Sequence, residues 1–206
     1  MINRSSLLLV NDVTGYGRVS TFCMMPICSQ FGLHPYVLPT ALVSNTMDYG
    51  SAEILDTTAF MRSTINKWKY FGFKFRNICT GLINSAEQVD IICDLIDSQD
   101  KPFVMVDPIM ADDGKLYPDM YEGAIEANRK LASRASLMIP NFTEATMLAG
   151  MFTDRTTLSN AEFEELVHAL VQLGPDSIVI TGCHNEEGQS FNLVYDSGSE
   201  ELEYIC

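Results

Sequence analysis

The stretch "PFVMVDPIMADDGKLY", residues 102 to 117, joins an apolar run to a cluster of acidic residues. Its first part, 102–106, predicts a buried strand, because a short continuous apolar run bounded by turn residues is typical of strands covered on both faces. A proline then ends the strand, and Asp107, Asp112 and Asp113 follow within a few residues. Open parallel sheets bind ligands at the carboxyl ends of their strands. We therefore interpret this stretch as one wall of a binding site.

Strands and helices alternate along the rest of the chain. The predicted strands are 6–11, 36–44, 77–83, 102–106, 136–141 and 177–182, with a final hairpin of 190–196 and 202–206. The predicted helices are 19–32, 51–72 capped by Ser51, 85–99 with a Ser85–Gln88 capping box, one within 118–133, 143–150, and 159–174. This alternation predicts a single α/β domain, 1–206, with a mostly parallel central sheet between layers of helices.

Composition narrows the class of protein. The chain has 206 residues, of which 47% are hydrophobic, and its 27 acidic and 13 basic side chains give a formal net charge of −14. A surface this acidic repels phosphate backbones and anionic lipid, so we expect neither nucleic-acid nor membrane binding. The six cysteines form no C-x-x-C pair, and no apolar run reaches transmembrane length. We therefore interpret the cysteines as reduced thiols in the core of a cytoplasmic protein.

Polar residues gather at the predicted strand ends. They are Asn11 and Asp12, Ser44 and Thr46, Asp107 and Asp112, Asn141 and Glu144, and Thr181 and Gly182. Pooled carboxylates with an Asn and a Glu nearby suit a hydrated Mg²⁺ that serves a nucleotide phosphate. No G-x-x-x-x-G-K-[ST] loop occurs, and "GYGRVS" (15–20) lacks the third glycine of the dinucleotide fingerprint.

Several of these residues have a purely structural alternative. Asp12 could form only a turn, and Asp113 is assigned to the turn before Gly114. Asn141 could cap the helix that follows it, and Glu144 is favourable in a first helical turn through the helix dipole.

Four motifs carry a family resemblance. They are "VNDVTGYGRVS", "PTALVSNT", "VDPIMADDGKLY" and "IPNFTEATMLAG", and together they span nearly the whole chain. In this order they resemble the pyridoxal/pyridoxamine kinases of the ribokinase-like superfamily. Hydroxymethylpyrimidine phosphate kinases share two of the motifs but are expected to show a D-P-S-G-G-A-G-type stretch where this chain has "DVTGYGRVS".

The resemblance implies a three-layer αβα sandwich that transfers the γ-phosphoryl of ATP to the 5′-hydroxymethyl of a vitamin B6 vitamer. Asp12 would face the pyridine ring, with Ser44 and Thr46 in the same pocket. The ATP phosphates and Mg²⁺ would lie at the other strand ends. By position, Asp107, Asn141, Glu144, Thr181 and Gly182 would border the nucleotide, and Asp107, Asp112 and Glu144 would hold Mg²⁺, partly through water. A homodimer paired through the sheet edge near the second strand is also implied.

Two departures from the family pattern matter. Where the family has S-x-H-T, this chain has Thr46 and Met47 in the His and Thr positions. The family's Gly-Thr-Gly-Asp segment, with its catalytic Asp and anion hole, is absent from the 206 residues. We therefore expect a C-terminally truncated kinase with no catalytic residue of its own and little or no phosphoryl transfer. A hydroxymethylpyrimidine (phosphate) kinase and a non-catalytic ligand-binding remnant stay open as alternatives.

Overall fold

The computed structural model describes residues 6–118, 120–199 and 201–206. The chain divides into two compact units, Met1–Val104 and Met105–Cys206. This division does not decide whether residues 1–206 form a single domain, so that expectation stays a prediction. None of the described helices is both long and apolar enough to cross a membrane.

The first unit is built around the apolar run of its first strand. Leu7 to Val10 are buried in β1, which pairs in parallel with a strand on each side. The sheet order is β4-β1-β2-β3, and β3 is antiparallel to β2. The elements of this unit are β1 (Ser6–Tyr16), α1 (Ser20–Gln30), β2 (His34–Asn45), a 3-10 turn (Met47–Tyr49), β3 (Ile54–Asp56), α2 (Thr58–Phe71), β4 (Asn77–Thr80) and α3 (Ala86–Asp97).

The second unit begins with the strand that the acidic stretch follows. Its sheet order is β11-β10-β9-β8-β5, with β5, β8 and β9 parallel and the last two strands antiparallel. Its elements are β5 (Phe103–Val106), the small hairpin β6 (Ala111–Asp112) and β7 (Lys115–Leu116), α4 (Ala124–Ala132), β8 (Leu137–Met138), α5 (Phe142–Ala149), α6 (Asn160–Val171), β9 (Ser177–His184), β10 (Ser190–Asp196) and β11 (Glu201–Ile205). The α/β class with a mostly parallel sheet and the closing hairpin are confirmed.

The predicted helix 51–72 was wrong in its first part. Residues Ile54–Asp56 form an edge strand on β2, and α2 begins only at Thr58. Its start is set by Asp56, whose carboxylate accepts hydrogen bonds from the Thr58 amide and hydroxyl, both at 2.9 Å, so Ser51 is not the cap. The exposed Ile54 fits a helical spacing, and backbone pairing with β2 overrides that pattern.

Two predicted strand ends were also displaced. β1 continues to Tyr16 because its pairing with β2 resumes after a bulge between Asn11 and Val13, so Asp12 lies inside the strand. β9 runs on to His184, so Thr181 and Gly182 lie within it. Both predicted strands stopped too early because polar residues are typical of strand ends. In the structure, backbone pairing with a neighbouring strand continues past those polar residues.

The predicted capping box of α3 is half formed. The Ser85 hydroxyl accepts the Gln88 amide at 3.2 Å, whereas the Gln88 side chain accepts the amide of Asn84 rather than that of Ser85. The same Gln88 side chain donates to the Thr40 carbonyl at 2.8 Å. The side-chain amide of Gln88 therefore connects α3 to β2 and also bonds the backbone just before the helix.

Candidate functional site

The acids after β5 occupy two different environments. Asp107 lies half-buried directly after the strand, whereas Asp112 and Asp113 are exposed on the β6–β7 hairpin. Asp113 and Gly114 have φ of 48° and 75°, so both central residues of this tight turn are left-handed. Asp-Gly is a favoured pair for such a hairpin turn. The Asp-Asp-Gly sequence therefore builds a tight hairpin, as the turn assignment of Asp113 predicted.

Glu144, in the first turn of α5, fastens this hairpin. One of its carboxylate oxygens accepts the amides of Met110 at 3.0 Å and Ala111 at 3.4 Å. The other oxygen accepts the amide of Asn141 at 2.9 Å. The side chain is only 3% exposed. Glu144 is therefore a structural anchor between the α5 N-terminus and the segment after β5.

Asn141 completes the junction from the other side. Its side-chain oxygen accepts the Glu144 amide at 2.9 Å, which forms a full capping box, and its amide group donates to the Ala111 carbonyl at 2.7 Å. The Thr181 amide donates to the Pro140 carbonyl at 2.9 Å. The helix cap, the hairpin and β9 are thus tied together, and the capping alternative for Asn141 is confirmed.

Burial dominates the electrostatics of Glu144 and Asp107. The pKa of Glu144 is raised to about 7, mainly by burial, although three backbone amides lower it and the Asp107 charge raises it further. Burial also raises the pKa of Asp107 to about 6. Each carboxyl group therefore favours its neutral form more than an exposed acid does, and a cation placed beside it would restore the charge.

A cavity of about 430 Å³ lies in the second unit beside this junction. It is lined by Asp112, Asp113, Gly114, Asn141, Phe142, Thr143, Thr153, Asp154, Arg155, Thr156, Thr181, Gly182 and His184. Of the predicted nucleotide and metal residues, Asp112, Asn141, Thr181 and Gly182 line the cavity, whereas Asp107 and Glu144 are outside the lining set.

Several lining residues were missed by the sequence interpretation. Thr153 to Thr156 belong to the loop between α5 and α6, and His184 ends β9 beyond the predicted strand. Loop residues that follow a helix carry no strand-end signal, so a search restricted to strand ends misses them. The available signal was the dense polar sequence "TDRTT" (153–157) between two helices.

Gly182 has a conformational reason to be glycine. Its φ is 67°, in the left-handed region, and the pairing of β9 with β10 shifts register around this point. The Gly182 amide donates to the side chain of Asn192 at 3.3 Å. The irregularity lies where β9 borders the cavity, as bulges beside binding sites often do.

The acids of this unit fit Mg²⁺ only together with a ligand. The described residues contain no group of three His, Cys, Asp or Glu side chains able to hold a metal ion by themselves. Mg²⁺ commonly binds through one or two carboxylates, several waters and substrate phosphates. Asp107 and Asp112 fit that pattern, whereas direct ligation by Glu144 would compete with the backbone amides that occupy both its oxygens.

In the first unit, Asp12 is the most unusual predicted residue. It is 3% exposed and lies at the β1 bulge. One carboxylate oxygen accepts the Thr14 hydroxyl at 2.6 Å, whereas Oδ1 is buried with no hydrogen-bond partner among the described residues. A buried carboxylate oxygen without a donor is costly, and a ligand donor would satisfy it.

Ser44 lies near the end of β2, and Thr46 directly follows that strand. β1 pairs with β2 through Tyr16 and Asn45, whereas Asp12 lies at the bulge before that point. The Ser44 hydroxyl accepts the Glu53 amide and donates to Asn45. The Thr46 amide donates to the Tyr16 carbonyl at 3.1 Å. Both residues therefore hold the strand exits in place, and their part in substrate binding stays a prediction.

Stability should depend on pH through the buried acids. Between pH of about 4.5 and 7 the folded protein keeps the Glu144 proton that the unfolded chain releases. The unfolded state then binds fewer protons, so the free energy of unfolding falls as pH rises through this window, by on the order of 2 to 3 kcal/mol. Asp107 adds to the fall at the lower end. Urea unfolding across pH 4.5–7.5 with EDTA present measures the change.

Two variants isolate the contribution of Glu144 to this pH dependence. Glu144→Gln should flatten the curve above pH of about 6, where Asp107 no longer contributes, while the exposed Glu165→Gln should leave it unchanged. A wild-type stability that rises across the window would contradict the raised pKa of Glu144.

The fold and this strand-end site define the class of the protein. The sequence profile of the phosphomethylpyrimidine kinase family matches residues 27–204, so the chain belongs to that family.

The curated relatives are kinases of vitamin B6 compounds. A pyridoxine/pyridoxal/pyridoxamine kinase of Bordetella avium is 29% identical over 163 residues, which cover 74% of this chain and 54% of that protein. A pyridoxine kinase of Bacillus subtilis is 28% identical over 127 residues, covering 60% and 45%. The chain spans about half the length of these relatives.

Solved structures confirm the fold. A crystal structure from Bacteroides thetaiotaomicron, described as a phosphomethylpyrimidine kinase and crystallised with pyridoxal, has a TM-score of 0.90 and 29% identity over 96% of this chain and 70% of its own. A pyridoxal kinase from Lactobacillus plantarum gives a TM-score of 0.87 at 24% identity, covering 97% and 71%. The recognised resemblance and the ribokinase-like α/β fold are therefore confirmed.

Proposed function

We propose that this chain is the vitamer- and nucleotide-binding part of an ATP-dependent vitamin B6 kinase. The observation that carries the proposal is the second-unit site, where the Asn141–Glu144 junction holds the Asp112 hairpin beside a cavity of about 430 Å³. The relative crystallised with pyridoxal, 29% identical over 96% of this chain, supports a B6 vitamer as the phosphoryl acceptor.

Different residues of the second unit are proposed to border the nucleotide, to hold Mg²⁺ and to keep these groups in position. Asn141, Thr181 and Gly182 border the cavity and are proposed to shape the nucleotide site, while their own amide groups pair within the protein. Asp107 and Asp112 would hold Mg²⁺, which when bound neutralises charge on the phosphates. Glu144 keeps the hairpin against α5, so that these groups keep their positions.

Asp12, in the first unit, has the chemistry to orient the vitamer. Its buried Oδ1 needs a hydrogen-bond donor, and a protonated pyridine nitrogen or ring hydroxyl supplies one. Ser44 and Thr46 are proposed to line the same pocket. With Thr46 and Met47 in the family's His and Thr positions, binding should depend more heavily on Asp12.

Calorimetry with a panel of ligands tests the substrate. Pyridoxal, pyridoxamine, pyridoxine and hydroxymethylpyrimidine are titrated into the 206-residue chain. Asp12→Asn should weaken vitamer binding by about tenfold, because a hydrogen bond to a charged group is lost. The exposed Asp94→Asn serves as the matched control. Equal affinity of Asp12→Asn and wild type for every vitamer would remove Asp12 from the site.

A second candidate is a hydroxymethylpyrimidine (phosphate) kinase. The family description favours it directly, since the matching family is that of phosphomethylpyrimidine kinases. Tighter binding of hydroxymethylpyrimidine than of all three vitamers in the same panel would select this function over the vitamin B6 one.

We also propose a homodimer that pairs through the β3 edge. Ile54 and Leu55 on this edge strand are 55% and 61% exposed, an unusual exposure for large apolar side chains on a strand edge. Sedimentation equilibrium of wild type should give a dimer, and Leu55→Lys should shift the equilibrium to monomer. A wild-type chain that is monomeric at tens of micromolar would contradict the proposal.

A further inference from the structure

The cavity of the second unit is rich in negative charge. Three of its lining residues are the carboxylates Asp112, Asp113 and Asp154. Among the described residues that line it, Arg155 is the one Arg or Lys. A polyphosphate bound here would meet three acids, and even with Mg²⁺ present it needs a further positive partner. Arg155 is the side chain placed to supply that charge.

Arg155 lies in a loop that is anchored at both ends. The loop starts after Gly150, a left-handed residue that ends α5, and stops at Ser159, which caps α6. Near its end, the Leu158 amide donates to the His184 carbonyl at 3.3 Å, next to the cavity. The Arg155 amide itself donates to the Phe152 carbonyl at 3.0 Å. The backbone that carries the guanidinium is therefore held close to β9.

Glu162 holds the guanidinium itself. One oxygen of its carboxylate lies 3.3 Å from Nη1 of Arg155. The other oxygen accepts the Ser159 amide at 2.8 Å and the Ser159 hydroxyl at 3.0 Å. The acid that completes the capping box of α6 thus also orients Arg155. A single contact to Nη1 leaves the guanidinium with further donors for a ligand.

We propose that Arg155 binds the phosphate groups of a nucleoside di- or triphosphate in this cavity, with Glu162 as the residue that positions it. The inference rests on the proposed nucleotide-dependent function and names the residue that separates a nucleotide from a nucleoside. An Arg–phosphate contact is charge-assisted and directional, so it discriminates by charge on the ligand rather than by its base.

An ordinary surface ion pair would have no such effect. The protein contains a matched example in Arg62 and Glu87, 2.6 Å apart and both 58% exposed, in the first unit. Exposed pairs of this kind contribute little to stability. Arg62→Gln is therefore the control for removing a paired arginine away from the cavity.

Binding of Mg·ADP and of adenosine to the 206-residue chain is measured by calorimetry. Arg155→Gln should weaken Mg·ADP by about tenfold and leave adenosine unchanged. The loss should shrink at high ionic strength, because salt screens the charge contact in a partly exposed site. Arg62→Gln should bind both ligands like wild type.

Glu162→Gln tests the positioning role, since Gln also serves in capping boxes but carries no charge. We expect a smaller loss of Mg·ADP affinity, about threefold, and no further loss when it is combined with Arg155→Gln. Additive losses in the double variant would overturn the positioning role of Glu162.

The possible outcomes distinguish a failure of the Arg155 inference from a failure of the proposed nucleotide-dependent function. Wild type that binds Mg·ADP, with Arg155→Gln binding equally well, overturns the inference and leaves the proposed function standing. Equal losses for Mg·ADP and adenosine in Arg155→Gln also overturn it, because they indicate a structural defect. Wild type that binds no Mg·ADP at all overturns the proposed function first, and the inference falls with it.

Discussion

Replacing Glu144 by alanine is expected to lower the free energy of unfolding by about 4 kcal/mol, because it leaves the buried amides of Met110 and Ala111 and the part-buried amide of Asn141 without their acceptor. Each buried, unsatisfied amide costs about 1 to 3 kcal/mol, and water reaching the gap offsets part of the sum. Urea unfolding monitored by circular dichroism at pH 7 measures the loss.

Glu162→Ala is the matched control for this loss. Glu162 occupies the same third position of a complete capping box, on α6, but it is more exposed and accepts only from Ser159 within that cap. Its removal should cost clearly less than that of Glu144. Equal losses for the two variants would show that Glu144 acts only as a helix cap and does not fasten the hairpin.

The second large effect concerns catalysis by this polypeptide alone. The 206 residues contain no Gly-X-Gly-Asp, the segment that by family resemblance supplies the base and the anion hole. A positioned base contributes about 10²- to 10⁴-fold and an anion-hole donor about 10²- to 10³-fold. We therefore expect turnover of pyridoxal at least about 10⁴-fold slower than in a version that includes such a segment.

A coupled assay for ADP release measures this difference, with Mg·ADP and pyridoxal binding as the control for folding. Ordinary turnover by the purified 206-residue chain would contradict the expectation. A longer version that binds both ligands and still does not turn over would instead favour the non-catalytic ligand-binding alternative.

Much of the fold could be predicted because short apolar runs and helix caps are local signals. The run "PFVMV" formed β5, Gly150 ended α5, and Ser159 capped α6. The failures lay where backbone pairing with a neighbouring strand overrode local pattern. Ile54–Asp56 joined β2 instead of α2, and β1 continued past Asp12 through a bulge.

The residues of the candidate site also fall into those that the sequence predicted and those that it could not predict. The sequence was sufficient to place Asp112, Asn141, Thr181 and Gly182 at one functional edge, and all four line the second-unit cavity. It could not identify Arg155, which belongs to a loop with no strand-end signal and is oriented by Glu162. Contacts of this kind depend on where a loop returns in space rather than on residue spacing.

The sequence by itself determined the α/β class, the strand-end position of the acids and the family motifs, because these follow from local hydrophobic pattern and residue order. Only the tertiary structure decided what the acids do. It buried Glu144 among backbone amides, which makes it an anchor, and it left Asp112 exposed beside the cavity. The physical reason is burial, which raises the pKa of Glu144 and commits its oxygens to backbone amides, whereas the carboxylate of Asp112 stays exposed to solvent and to a ligand.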